Sequence, residues 1–261
     1  MLFRSIEIII VNDCSPDLED DKICQEYADK DNRIVYVKHE KNLGLGGARN
    51  TGIKIAKADH IGFVDSDDWI DPGMYLELYE VIQRDNSDVV CCGYRLLLND
   101  KLLRKPNIKP KTLAKNDINI FTTFNPSAWN KLWKKALFLE NDVFFPEKQH
   151  YEDLATIPKL LYFAYKVSLI NESYYNYIQR DSSITHSFTQ ASIDGYKNAF
   201  HSLGSFLQTH NSSQQLNLDY CLAIVEAIRF QANKRHALLD AEKVVHVRKL
   251  ILTLSEYLVD V

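Results

Sequence analysis

The chain has 261 residues, 46% of them hydrophobic and 25% charged, an ordinary globular composition in a chain long enough to bury a sizeable core. With 31 Lys and Arg against 35 Asp and Glu, the net charge of −4 excludes a broad polyanion-binding surface and makes nucleic acid an unexpected partner. The five cysteines (Cys14, Cys24, Cys91, Cys92, Cys221) form no C-x-x-C pair, so neither a disulfide framework nor a zinc site is indicated, and a cytosolic compartment fits.

No apolar run approaches the ~18 residues of a membrane span. Glu7 interrupts the short apolar start, which does not read as a signal peptide. Basic and aromatic residues mix around Lys131 to Lys135, which leaves peripheral membrane contact open.

Ile6 to Val11 is a continuous aliphatic run, the pattern of a strand buried on both faces. It ends in the turn cluster Asn12-Asp13-Cys14-Ser15-Pro16, and an amphipathic helix follows from about Glu19 to Asp29. A second strand (Ile34 to Val37), a glycine-rich turn and a helix from Gly46 to Ala56 come next. A third strand, His60 to Val64, leads into a helix from Pro72 to Arg84. A fourth strand spans Asp88 to Cys92, with an extension to Leu98. This alternation predicts a doubly wound, mostly parallel α/β sheet flanked by helices, with ligands at the carboxyl ends of its strands. Lys101 to Lys115 reads as a loop. Short helices are expected around Ser127 to Leu139 and Asp153 to Tyr165, with strands at Val167 to Ile170 and Tyr174 to Ile178. Past Thr189 the period is helical, giving a helical C-terminal region (187–261) after a first domain (1–186).

The chemistry concentrates where the third strand ends, in I-G-F-V-D-S-D-D-W-I-D-P, Ile61 to Pro72. Asp65, Asp67, Asp68 and Asp71 repel one another unless a cation sits among them, and hard oxygen ligands at i and i+2 suit a divalent ion holding a diphosphate. The alternative is a solvated acidic turn with Asp71 as helix N-cap and Pro72 at the first helical position. Asn42 to Asn50 is glycine-rich and opens a helix, but it is neither G-x-G-x-x-G nor a P-loop. It serves either phosphate contact or a tight turn with positive φ at Gly44 or Gly46. Arg49 is placed to reach a nucleotide or to stand on the surface. Asp13 is placed to accept the N–H of a base or to shape its turn. In Tyr151-Glu152-Asp153 the acids complement a helix N-terminus, and Arg180 could pair with a diphosphate.

Taken together, I-E-I-I-I-V-N-D-C-S-P-D, E-K-N-L-G-L-G-G-A-R-N-T-G and F-V-D-S-D-D-W-I-D-P-G-M-Y resemble the family 2 glycosyltransferases of bacterial surface-polysaccharide synthesis, with the GT-A fold. W-N-K-L-W-K-K-A-L-F, Y-E-D and Y-N-Y-I-Q-R-D-S-S-I-T extend the resemblance to about residue 186. It implies an inverting transfer from a UDP-sugar to a saccharide or lipid-linked acceptor. By it, Asp13 would bind uracil with Arg49 nearby, and Asp65 would contact ribose or metal. Asp67 would ligate Mn²⁺ or Mg²⁺ bridging the diphosphate. Asp153 would be the general base, Arg180 would hold the leaving diphosphate, and Trp129, Asn130 and Lys131 would line the acceptor pocket. The resemblance further implies a strand and helix ahead of Ile6, carrying a V-I-I-P-x-Y-N type run. Without them, neighbouring strand edges stand open. Rival readings are a non-catalytic fragment, which predicts no transfer, and a nucleotidyltransferase, which predicts pyrophosphate release and no need for Asp153.

Overall fold

The computed structural model describes residues 6–99, 101–106, 108–117, 119–121, 125–179, 189–210, 213–235 and 249. Strand–helix units open the chain: β1 (Ile8–Asn12), α1 (Leu18–Lys30), β2 (Ile34–Lys38), α2 (Gly44–Ile55) and β3 (His60–Gly62). A two-residue strand, β4 (Trp69–Ile70), precedes α3 (Met74–Asp85). The start of α1 is set by Asp17, whose carboxylate accepts the Glu19 amide at 2.9 Å, with Glu19, Asp20 and Asp21 in the first turn. Next come β5 (Val89–Leu98), β6 (Lys101–Arg104), β7 (Lys111–Ala114), β8 (Lys131–Lys134), α4 (Ala136–Leu139), α5 (Glu152–Phe163) and β9 (Lys166–Gln179). Helices α6 (Gln190–Thr209) and α7 (Gln214–Arg235) follow.

The α/β class is as expected, with helices against both faces of a central sheet. The pairing is more mixed than a mostly parallel sheet. β1 and β2 pair in parallel, and a seven-stranded sheet has the order β3-β8-β5-β9-β4, with β6 on β5 and β7 on β9. Among the described residues only β1–β2 and β5–β9 are parallel. The physical reason is connectivity: a parallel neighbour needs a crossover, usually a helix, whereas only two residues separate β5 from β6.

Four local expectations are corrected. The segment 101–115 is not all loop, since β6 and β7 lie in it and pair with β5 and β9. Where helix was expected over 127–139, Lys131–Lys134 is a strand, pulled into the sheet between β3 and β5, and only Ala136–Leu139 is helical. The two strands expected near 167–178 are one, β9. Finally, α3 is capped by Gly73 at φ +89°, not by Asp71 with Pro72 in the first turn.

One core cluster, around Ile53, Phe63, Trp133, Phe138 and Ile157, packs α2, α4 and α5 on the sheet. A second, around Met74, Leu78, Val90 and Tyr175, packs α3 on the other face. α6 and α7 share a third cluster with Tyr151 at the start of α5. By contrast β1 and β3 do not bond to each other. Ile9 and Val11 face Ile61, Phe63 and Val64 across a cavity of about 270 Å³.

Candidate active site

Asp13 follows β1, and its Oδ1 accepts the Leu43 amide at 2.8 Å while contacting His39 Nδ1 at 2.7 Å. Asn42 donates to the Asp13 carbonyl, so the end of β1 and the glycine-rich turn are one unit. Gly44 has φ +78°, the positive value expected there. Gly46 serves a different purpose: a Cβ on it would lie 2.2 Å from the Pro146 carbonyl oxygen, so its lack of a side chain lets α2 approach the 145–148 segment. Asn50 fixes that approach with two bonds to the Phe145 backbone, at 2.7 and 2.9 Å.

Arg49, 6% exposed, is the hub. Its Nη2 donates to Asp65 Oδ1 at 2.8 Å and its Nη1 to Glu152 Oε1 at 2.7 Å, while the guanidinium lies 5.3 Å from the Phe145 ring centre. Burial works against its charge, but Asp65 and Glu152 outweigh it and hold the guanidinium more firmly protonated than usual. Residues 103 positions apart are thereby brought together, so the α2 turn, the aspartate run and the Glu-Asp pair form one site.

The four aspartates divide by role. Asp68 and Asp71 are anchors: Asp68 accepts the Tyr175 hydroxyl at 2.7 Å and the Ile178 amide at 2.8 Å. Burial raises its carboxyl to about 6. Asp71 accepts Arg95 at 2.6 Å and Asn176 at 2.9 Å. Burial pushes its carboxyl up, but these two bonds outweigh that and leave it below its ordinary value. Asp65 keeps one oxygen beyond its Arg49 bond, and Asp67 is exposed at the turn. Among the described residues no cluster of three or more His, Cys, Asp or Glu is arranged to grip a metal alone. The donor set nevertheless fits a hard cation such as Mg²⁺ or Mn²⁺, which takes one or two carboxylates and fills its shell with phosphate oxygens and water. Asp65 and Asp67 would supply those carboxylates.

At the start of α5, Tyr151 adopts φ +60° and turns Glu152 inward to Arg49. Asp153 stands beside them. Burial raises its carboxyl to about 7, and the neighbouring Glu152 adds to the rise against the pull of Arg49. The residues Trp129, Asn130 and Lys131 are built into the sheet margin. Trp129 stacks on Tyr175 at 4.5 Å and Tyr177 at 5.5 Å. Asn130, at φ +54°, exchanges bonds with the Cys92 backbone. The Lys131 ammonium is buried on the Ser127 carbonyl (2.7 Å) and Asn130 Oδ1 (2.9 Å). Arg180 lies outside the described residues.

Sequence reasoning missed the Arg49–Glu152 pair, Tyr175, and the anchoring duty of Asp68. Glu152 had a signal, because a carboxylate beside Asp153 in the first turn needs a cation. The partner, however, is set by tertiary structure alone.

The Glycosyl transferase family 2 model matches residues 3–139. The chain belongs to that family. It is 32% identical over 226 residues to EpsH of Bacillus subtilis (strain 168), covering 81% of this chain and 63% of that protein. It is 32% identical over 195 residues to glycosyltransferase GlyG of Streptococcus pneumoniae serotype 4, covering 70% of this chain and 64% of that one. The chain thus spans less than two thirds of these relatives. The fold is shared with residues 1–349 of Staphylococcus aureus TarS, solved in complex with UDP-GlcNAc, at a TM-score of 0.76 and 20% identity, over 96% of this chain and 72% of that one. This family 2 chain thus carries the GT-A fold, and no described helix is long and apolar enough to cross a membrane.

Proposed function

We propose that this chain transfers a sugar, with inversion, from a UDP-sugar to a hydroxyl of a glycan or lipid-linked acceptor in surface-polysaccharide synthesis, on the cytoplasmic side of the membrane and with Mn²⁺ or Mg²⁺. The observation that carries the reading is the buried Arg49, which ties Asp65 at the end of β3 to Glu152 beside Asp153. Donor-side and base-side carboxylates are thereby held at a fixed separation. UDP is the nucleotide proposed because TarS, which shares the fold, was solved with UDP-GlcNAc.

Asp13 receives the base. Its Oδ1 is already bonded to the Leu43 amide, so the uracil N–H falls to Oδ2. Asp65 and Asp67 would hold the cation, which when bound would supply charge neutralisation to the departing diphosphate. Arg180 joins the diphosphate by family resemblance. Asp153 takes the proton of the attacking hydroxyl, and a carboxyl raised to about 7 suits a base working near neutrality. Such a base contributes typically about 10²- to 10⁴-fold in rate. A single base facing an oxocarbenium-like centre from the side opposite the leaving group gives inversion. Trp129, Asn130 and Lys131 border the acceptor.

The test is calorimetric titration of UDP with and without Mn²⁺ on chain shown by circular dichroism to be folded, followed by product analysis from candidate UDP-sugars. Binding that requires Mn²⁺ and is lost in Asp67→Ala supports the donor site. Folded chain with no UDP binding in either condition overturns it.

A further inference from the structure

A second cavity, of about 410 Å³, opens beside the reaction centre between residues 104–106 and 108–111 on one side and strands β5, β8 and β9 on the other. Arg104, Lys109, Lys111 and Lys131 contribute to its wall, and no carboxylate is among the described lining residues. In a chain where acids outnumber bases, 35 to 31, four cations around one cavity with no acid among its described lining residues depart from the average surface.

The cavity stands at the reactive end of the sheet. β8 runs antiparallel to β3 with Leu132 opposite Gly62, so Lys131 lies at the end where β3 delivers Asp65, and Cys91 of β5 pairs with Lys131 one strand further on. Lys131 is 1% exposed, and its ammonium is surrounded by neutral oxygens: the carbonyls of Asn125, Ser127 and Trp129, Ser127 Oγ and Asn130 Oδ1. Those dipoles orient the charge without cancelling it, so the field of a buried cation reaches the cavity and adds to that of three exposed ones. Burial shifts Lys131 toward its neutral form against the opposing pull of Cys91, Cys92 and Asp153, and a further anion at the cavity would offset more of that cost.

We infer that this cavity seats a phosphate group of the acceptor, so that the hydroxyl to be glycosylated belongs to a phosphate-bearing polyol or saccharide. The inference rests on the transferase reading for the word acceptor, and on the cavity itself for the phosphate. Phosphate suits the site because its charge is concentrated on several oxygens, which matches a cluster of Lys and Arg donors. Trp129 packs edge-on against Tyr94, which lines the cavity and offers an apolar face to the carbon skeleton carrying the phosphate.

The probe is sn-glycerol 3-phosphate, titrated into the full chain with and without saturating UDP and Mn²⁺, with glycerol as the neutral control. The variant is Lys109→Glu with Lys111→Glu, both exposed and outside the Arg49 network, compared with Lys109→Gln with Lys111→Gln. The expected result is saturable binding of the phosphate ester and none of glycerol, unaffected by UDP and weakened by added salt. The Glu pair should lose at least about tenfold in affinity and the Gln pair less, with UDP affinity unchanged in both. Equal affinity of wild type and the Glu pair, or no binding by wild type, overturns the inference. Absence of UDP binding alone would instead overturn the donor site, and the arm without UDP would still decide the cavity.

Discussion

Replacing Asp153 by Asn should stabilise the folded chain at alkaline pH while ending transfer. In the folded chain the carboxyl titrates near 7 against an ordinary value of 3.8, so its ionised form is disfavoured by folding. Below about pH 4 both folded and unfolded chains hold the proton and the penalty is absent. Between about 4 and 7 the folded chain keeps a proton that the unfolded chain has lost, so stability falls as pH rises, and above 7 the penalty is complete and constant. About three units at 1.36 kcal/mol each set a ceiling of about 4 kcal/mol. The side chain is mostly buried but shares the field of Arg49 and Glu152, whose own ionisation takes part of that cost, so about half of that is expected. For a chain of this size that is a rise of roughly 4–8 °C in Tm at pH 8.5, shrinking toward zero at pH 4.5. Thermal melts of both proteins at the two pH values measure it, with UDP titration confirming an intact donor site. A variant that melts at or below wild type at pH 8.5, or that shows the same gap at both pH values, would refute the account of Asp153 as a charge held against its preference.

Arg49→Met should be among the most damaging single changes, because it leaves Asp65 and Glu152 facing each other without their cation. A loss of about 3–5 kcal/mol in urea unfolding is expected, and a loss under 1 kcal/mol would show that the pair is not held by Arg49. Gly46→Ala drives a methyl against the Pro146 carbonyl and should cost about 1–3 kcal/mol. The half-buried but uncrowded Gly52→Ala serves as the control and should not destabilise. Transfer should rise with pH through about 7 as Asp153 ionises, and a flat profile in kcat/KM from pH 5.5 to 8.5 would remove it as the base. Amide exchange in β1 and α1 should proceed by local opening well before β5 and β9, because α1 buries none of its residues; equal protection would contradict that weak packing.

Much of the fold was legible because its elements are locally encoded. The aliphatic runs at Ile6 and Ile34, the glycine-rich helix start and the aspartates after His60 each fixed an element to within about two residues. What could not be read was decided by pairing. Lys131–Lys134 carries as much helical as extended character, and it is a strand because the margins of β3 and β5 leave a place for one. The 101–115 segment looked like loop for its Lys, Pro and Asn, which are the residues an edge strand tolerates. In the site, Asp13, Arg49 and Asp65 could be named from residue type and position, whereas Asp153 was singled out only by the resemblance to family 2 glycosyltransferases. The division of the four aspartates into two anchors and two remaining candidates depends on Tyr175, Asn176 and Ile178, more than a hundred residues away.

That division also separates a firm half of the site from a loose one. Arg49 stands against Phe63 and Phe145 of the main core, and Glu152 and Asp153 open α5, whose later residues pack into that same core. Asp13 hangs on β1, whose sequence I-I-I-V calls for burial on both faces, yet none of Ile8, Ile9, Ile10 or Val11 is buried. In the adjoining α1, Leu18 is 72% and Tyr27 56% exposed. The cause lies in the cavity between β1 and β3, where two strand margins that carry Asp13 and Asp65 at their ends meet no neighbour among the described residues. Main-chain N–H and C=O groups on such margins are satisfied by water or by another extended segment. Anything that filled the slot would stiffen the donor side and leave the base untouched. Donor affinity should therefore respond to occupancy of this slot, while the ionisation of Asp153 should not.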